Sequence, residues 1–269
     1  MKKLQGNIDT KSKIIGIIPV RMKASRFPGK PLKKIINFTM LEHVYLRAKF
    51  FKLWKLLIVA TCDKEIFDFC KIKKIPCIMT SNKHTRCLDR VHEAAKKINL
   101  NLSNKDIVVC VQGDEPMLTA DMIYKTIRPI FLKKEALSSV LAMDIVHKEQ
   151  FYNNNIVKII HDLNDEVLYT SRAPVPYCKK FSKKIKAKRV GGIFAFRWSF
   201  LKKFYKTDES FLEKVEACDS NRICDNGRGQ FIARYPFRPY FSVDCPKDLR
   251  VVIKYMKKDK IYKSYQKIK

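Results

Sequence analysis

Three short segments carry the side chains able to do chemistry. The first follows the apolar run Ile14-Ile15-Gly16-Ile17-Ile18 and reads Pro19-Val20-Arg21-Met22-Lys23-Ala24-Ser25-Arg26-Phe27-Pro28-Gly29-Lys30-Pro31-Leu32. Its cations are Arg21, Lys23, Arg26 and Lys30. Cations beside backbone N–H groups exposed at a glycine such as Gly29 can hold a polyphosphate. The same residues also read as a basic loop facing water. The second segment is Val111-Gln112-Gly113-Asp114-Glu115-Pro116, two carboxylates behind an apolar strand. Mg²⁺ takes hard oxygen ligands, often one or two carboxylates plus substrate phosphates. Gly-Asp and Glu-Pro equally suit a plain turn. The third is Val243-Asp244-Cys245-Pro246-Lys247-Asp248-Leu249. Asp244 there reads either as an acid offsetting the dipole of a helix begun by Pro246 or as a second metal carboxylate beside Asp114. Sequence spacing leaves both readings open.

The elements that must position these residues alternate in the first half. Ile14–Pro19, Leu56–Ala60, Cys77–Met79 and Ile107–Val111 have the continuous apolar character of buried strands. Thr39–Phe51, with Thr39 as N-cap, Lys64–Lys71 and Leu88–Ile98 fit helices between them. This alternation predicts an α/β fold with a mostly parallel sheet covered by helices. The basic loop and the acidic loop then both lie at carboxyl ends of strands, where open α/β sheets bind ligands. In the second half, Ser138–Ile145, Val157–Asp162, Val167–Tyr169, Gly192–Phe196, Phe231–Ala233 and Phe241–Asp244 read as strands. Phe211–Cys218 and Leu249–Met256 read as helices, and the basic Lys179–Arg189 as a solvated loop. No repeat and no separating linker is found. One domain over residues 14–256 with an inserted β arm is expected, with residues 1–13 and 257–269 as flexible basic extensions.

Composition limits the function classes. The 269 residues suffice for a full core, and no apolar run nears the roughly 20 residues that span a bilayer. The formal net charge is +30. The lysines are spread along the whole chain and accompany abundant Ile and Asn, as AT-rich coding would produce. RNP-type and zinc-finger signatures are absent, so no nucleic-acid partner is expected. The excess charge instead raises encounter rates with anionic substrates. The nine cysteines are irregularly spaced with no CxxC pair, which suits a reduced, cytoplasmic protein without a disulfide framework. No apolar stretch of a secretory signal follows the basic start, and no membrane partner is expected.

With these motifs in this order, the chain resembles the sugar-acid cytidylyltransferases, above all the 3-deoxy-manno-octulosonate (Kdo) cytidylyltransferases, or CMP-Kdo synthetases. The resemblance runs from about Ile14 to about Met256. It rests on Ile17–Arg21, Ser25–Leu32, Val59–Asp63, Met79–Ser81 with His84 and Asp89-Arg90, Val111–Pro116, Leu168–Pro174, Gly192–Arg197 and Val243–Leu249. It implies a single Rossmann-like nucleotidyltransferase domain, dimeric through a β arm in the second half. It also implies Mg²⁺-dependent transfer of CMP from CTP to the anomeric hydroxyl of a 3-deoxy-2-ulosonic acid, releasing pyrophosphate, for lipopolysaccharide or other surface-glycan synthesis. Arg21 and Lys30 match the family's phosphate-loop cations, and Asp114 and Asp244 its Mg²⁺ carboxylates. Catalytic roles therefore fall on Arg21, Lys30 and Asp114. Ser25 and Gln112 are expected near the substrates. Arg172 is read as a structural arginine of the arm before a sugar contact.

Three segments depart from the family. Thr85-Arg86-Cys87-Leu88 stands where a Ser-Gly-Thr-type stretch is usual, Val190 where the Kdo enzymes carry His, and Cys218-Asp219-Ser220-Asn221-Arg222 where they carry Leu-Glu-Gln-Leu-Arg. Arg86 adds a planar fork suited to a carboxylate or a phosphate, so it is expected to bind the acceptor or the triphosphate. The resemblance implies Kdo or a Kdo-like acid as acceptor, and these departures favour a related but different one, an amino-substituted Kdo or another eight- or nine-carbon ulosonic acid; drift at tolerant positions is the plainer account. The alternatives are a nonulosonic (acylneuraminate-like) acid cytidylyltransferase and a non-catalytic nucleotide-binding protein on the same fold.

Overall fold

The apolar run Ile14–Val20 is buried along its whole length and forms the first strand. The computed structural model describes residues 11–23, 26–227, 229–239 and 242–267. Within them the strands are β1 (Ile14–Val20), β2 (Lys34–Ile35), β3 (Phe38–Thr39), β4 (Leu56–Thr61), β5 (Cys77–Met79), β6 (Ile107–Val111), β7 (Ser138–Asp144), β8 (Lys158–His161), β9 (Val167–Ser171), β10 (Lys188–Arg197) and β11 (Gln230–Tyr235). The helices are α1 (Met40–Ala48), α2 (Lys64–Ile72), α3 (Cys87–Lys97), α4 (Ala120–Leu132), α5 (Lys148–Phe151), α6 (Trp198–Lys206), α7 (Phe211–Glu216), α8 (Asp219–Asp225), α9 (Pro246–Met256) and α10 (Lys260–Tyr265).

The chain gathers into two compact units. One holds Ile14–Asn101, Cys110–Ile123 and Pro239–Lys269; the other includes Leu102–Val109 and Tyr124–Arg238. In the first, β1, β4 and β5 pair in parallel in the order β1-β4-β5. Thr39 caps α1 in a capping box: Glu42 N–H donates to its hydroxyl at 3.2 Å, and its own N–H donates to the Glu42 carboxylate at 2.8 Å. The α/β alternation and the parallel pairing are those expected from the apolar runs.

The basic tail corrects an expectation. Residues beyond Met256 were expected to extend flexibly, yet α10 folds back. Asp259 caps it by accepting from Tyr262 N–H at 2.7 Å. Tyr262 and Tyr265 are buried in a core with Ile35, Phe38, Met117 and Val252. Two tyrosines three residues apart give the helix an apolar face that the surrounding lysines obscure in the sequence. Ser242–Asp244 likewise form no strand; Tyr240 and Phe241 lie outside the described residues. The segment is held instead by single bonds, such as Val243 N–H to the Asp114 carbonyl at 3.0 Å.

In the other unit, β7 pairs antiparallel with β10 and parallel with β11, while β8 and β9 form an antiparallel pair that meets β10. The basic stretch Lys179–Arg189 is exposed only in part. Lys188 and Arg189 enter β10 and are buried, Lys188 ion-paired with Asp144. Helices α4 and α8 were not foreseen. Pro129 inside α4 argues locally against a helix. Helix α8 has no apolar stripe and is held by buried polar bonds, Asn221 to Thr170 and Arg222 to Glu213.

Candidate active site

The basic loop is closed at its base. Met22 N–H donates to Asp63 Oδ2 at 2.8 Å, and Gly29 N–H returns to the Met22 carbonyl at 3.1 Å. Gly29 has φ 69°, the left-handed conformation that glycine adopts without strain. Lys30 follows in a short 3₁₀ turn and points its ammonium at two acceptors, Asp114 Oδ2 and the Val243 carbonyl, each at 2.9 Å.

Asp114 comes from the loop after β6. Its neighbour Gly113 lies against β1 so closely that a Cβ there would sit 2.2 Å from Val20 Cγ1 and 3.1 Å from the Pro19 carbonyl. Only glycine lets the two strand ends approach this way. The Ser242 hydroxyl donates to Glu115 at 2.7 Å, which, with Val243 N–H, ties the acidic loop to the segment leading into α9. Pro246 occupies the first turn of α9, as expected, and the Asp248 carboxylate accepts from Asp244 and Cys245 N–H, both at 2.9 Å. This cap orients Asp244, whose carboxylate pairs with Arg26 at 3.0 Å.

These parts surround one cleft of about 260 Å³, lined by Arg21, Lys23, Arg26, Lys30, Cys87, Gln112, Asp114 and Asp244, among others. Its electrostatics are divided. Burial, reinforced by the charge of Asp114, pushes the Asp244 carboxyl above the usual carboxylate range, against the pull of Lys30 and Arg26. Lys30 satisfies Asp114 Oδ2, whereas Asp114 Oδ1 is buried without a hydrogen-bond partner among the described residues. A buried carboxylate oxygen lacking a donor, beside a second carboxylate that repels it, suits a hard divalent cation. The donor set therefore fits Mg²⁺ held by two carboxylates and completed by substrate phosphates. Arg21 is exposed at the cleft, and no described residue bonds its guanidinium.

The family model for cytidylyltransferases matches residues 15–231. The chain is 35% identical over 248 residues to a 3-deoxy-manno-octulosonate cytidylyltransferase of Thermodesulfovibrio yellowstonii, covering 89% of this chain and 96% of that one. Another, from Fusobacterium nucleatum, is 33% identical, with 93% and 99% covered. The chain belongs to the cytidylyltransferase family. Among solved structures, a CMP:2-keto-3-deoxy-manno-octonic acid synthetase complexed with CTP superposes with a TM-score of 0.82 at 28% identity, over 92% of this chain and 99% of that one. A 4-diphosphocytidyl-2C-methyl-D-erythritol synthase shares the fold at a TM-score of 0.60 and 12% identity, over 90% of this chain and 97% of that one. This cytidylyltransferase is thus a nucleotidyltransferase enzyme with an α/β nucleotidyltransferase fold.

Of the residues singled out in its sequence, the cytidylyltransferase brings Arg21, Lys30, Gln112, Asp114 and Asp244 to one cleft. Ser25 lies outside the described residues. Arg86 lines an adjoining hollow of about 130 Å³ with Arg21, His84, Thr85, Cys87 and Arg90. That loop is anchored from α3: Glu93 accepts from Ser81 N–H at 2.9 Å and bonds His84, and Arg90 donates to the Ser81 carbonyl at 3.3 Å. Burial raises the Glu93 carboxyl, but the hydrogen bonds from Lys97, Ser81 N–H and His84, with the Lys97 charge, outweigh it and hold the carboxyl at about 2. Sequence reasoning placed Arg26 only among the cations of the basic loop and gave no role to Cys87 or Asp63. Gln112 Nε2 contacts Cys87 Sγ at 3.7 Å. The only local signal for Arg26 was its place in the basic loop.

The remaining candidates belong to the other unit. The Arg172 guanidinium donates to the backbone carbonyls of Glu216 at 2.7 Å and Asn154 at 3.1 Å. Asp219 and Ser220 open α8 and are buried, and Val190 N–H bonds the Val157 carbonyl at 2.9 Å within the strand region.

Proposed function

We propose that this cytidylyltransferase transfers CMP from CTP to the anomeric hydroxyl of Kdo or a closely Kdo-like 3-deoxy-2-ulosonic acid, with Mg²⁺ as cofactor. The observation that carries the reading is Lys30 bridging Asp114 and the Val243 carbonyl beside Asp244, with Arg21 open to the same cleft. The names of the relatives, and the CTP bound in the structural neighbour, support the choice of nucleotide and sugar.

In the reaction the sugar hydroxyl loses its proton and its oxygen bonds the α-phosphorus of CTP. The bond from that phosphorus to the bridging oxygen breaks, and pyrophosphate leaves. Negative charge on the phosphoryl oxygens grows along this path, so fixed positive groups aimed at them lower the barrier. Arg21 binds the α-phosphate end, and its fork grips two oxygens at once. Lys30 has limited freedom, because its ammonium is already directed by two acceptors, and it neutralises the triphosphate at small cost in reorganisation. Asp114 and Asp244 would hold Mg²⁺, which when bound polarises the phosphoryl group and aligns the two substrates. Arg26 keeps Asp244 oriented until the metal–nucleotide complex arrives. Gln112 and Arg86 contact the nucleoside or the acceptor from either side of Cys87.

The enzyme works as a homodimer through the β8–β9 arm, in the cytoplasm, supplying an activated sugar acid to lipopolysaccharide assembly; this rests on the family resemblance. A pyrophosphate-release assay with each nucleoside triphosphate, Mg²⁺ and a panel of Kdo, amino-substituted Kdo and a neuraminate tests the reading. Turnover with CTP and an octulosonic acid is expected. No turnover with CTP and any acid overturns it, and preference for the neuraminate moves the acceptor to the nine-carbon class.

A further inference from the structure

Arg47 is the largest fully buried side chain of α1 and lies far from the cleft in sequence. Its guanidinium reaches four acceptors on two segments, one of them the Met256 Sδ, 3.8 Å from Nη1. Nε donates to the Leu118 carbonyl at 2.7 Å and Nη2 to the Met117 carbonyl at 3.3 Å. Nη1 pairs with Asp259 at 2.8 Å. Met117 and Leu118 close the loop that opens with Asp114. Asp259 caps α10 directly beyond α9, whose first turn orients Asp244. Both candidate metal carboxylates therefore sit on segments whose far ends meet at one side chain.

We infer that Arg47 is a positioning residue for the Asp114–Asp244 pair, and that the C-terminal helix α10 acts through it as part of the frame of the metal site. The inference rests on the metal reading given above. Docking of α10 does not by itself call for a buried cation, since Tyr262 and Tyr265 already seat the helix in an apolar core. Burying a guanidinium is costly unless its donors are met. Here the planar fork is matched to acceptors on both loops, a geometry that a lysine ammonium cannot reproduce. Repulsion between the two carboxylates tends to spread them, and a rigid brace behind both loops resists this.

The test measures Mn²⁺ binding by the electron paramagnetic resonance of free Mn²⁺ at fixed CTP, alongside thermal unfolding. Arg47→Lys keeps the charge and loses the fork. It is expected to weaken Mn²⁺ binding about 10-fold or more, the usual consequence of removing a group that orients metal ligands. Asp259→Asn, which leaves the carbonyl bonds in place, should weaken it in the same direction, and it decides the matter if Arg47→Lys fails to fold. Tyr262→Leu is the control: it removes a buried ring packed on His43 and Tyr265 and lowers the melting temperature without removing a partner of the Arg47 guanidinium. It should leave Mn²⁺ affinity unchanged. Wild-type affinity in Arg47→Lys or Asp259→Asn overturns the inference, as does an equal loss in Tyr262→Leu. Wild-type enzyme that binds no Mn²⁺ in the presence of CTP overturns the metal reading instead.

Discussion

Lys30 and Asp114, 84 residues apart in sequence, meet at 2.9 Å, and the same ammonium donates at 2.9 Å to the Val243 carbonyl. One lysine thus links the phosphate loop to the acidic loop and to the segment ahead of Asp244. The pair is partly exposed, with side-chain exposures of 13% and 27%, so its own contribution to stability is small. On the proposed function its value lies in holding a cation where phosphoryl charge develops. Lys30→Met should lower kcat by about 100-fold or more, the effect of removing one fixed donor to a charged transition state. Steady-state pyrophosphate release measures it; a change confined to KM would make Lys30 a binding group only.

Asp244 should trade stability for metal binding. Its carboxyl is raised above the usual range by burial and by Asp114, so the ionised form is disfavoured in the folded protein. The penalty is fully present at neutral pH and disappears as pH falls below the carboxylate range, where both folded and unfolded states are protonated. Asp244→Asn should therefore raise the melting temperature of the metal-free protein at pH 7. The stabilisation that Mg²⁺ with CTP gives the wild type should be lost in the variant. For the same reason, metal-dependent activity should fall on the acid side at a higher pH than an ordinary aspartate would impose. Differential scanning fluorimetry and a pH–rate profile check the two halves.

Gly113→Ala should be disproportionately harmful for one added methyl. The new Cβ would lie 2.2 Å from Val20 Cγ1. Overpacking of this kind costs about 1–3 kcal/mol and would displace Asp114, its chain neighbour. Adding Val20→Ala should recover part of the stability, because Val20 Cγ1 is the nearest clash. Chemical denaturation of the single and double variants reads this out.

Acid sensitivity should come in part from two buried histidines. Burial lowers His43 and His92 from 6.5 to about 4, with the Arg47 and Lys96 charges acting in the same direction. A folded-state pKa below the unfolded value means that the unfolded chain takes up the proton first. Stability is then intact above about pH 6.5 and is lost as pH falls from there towards 4. His43→Gln should flatten this slope in urea unfolding measured at several pH values, although its absolute stability will be lower.

The C-terminal helix should contribute to global stability. Tyr265 is 1% exposed and edge-packed on His43 and Tyr262. Tyr265→Ala should cost about 3–5 kcal/mol, in line with other large-to-small aromatic changes in cores. A fraying tail would show no measurable loss.

Much of this was legible locally. Strand ends, the glycine-closed basic loop, the Thr39 cap and the Pro246 helix start each depend on residues within one turn or one strand, and for such features the amino-acid pattern itself states the physics. The candidate site residues Arg21, Lys30, Asp114 and Asp244 could be picked out because each lies just beyond a strand's carboxyl end or at or just before a helix's first turn. The sequence by itself therefore determined the α/β alternation, the chemistry available at the loop ends and the family. Tertiary structure alone decided the pairings. Arg26 and Asp244 stand 218 residues apart, Arg47 and Asp259 212, and nothing local marks either pair. The tail was misread for the same reason: its lysines describe its solvent face, whereas its fold depends on a core supplied by α1, α9 and the β2–β3 hairpin. Interactions between distant segments exist only once the chain has brought them together, because burial and charge pairing act over ångströms of space rather than residues of sequence.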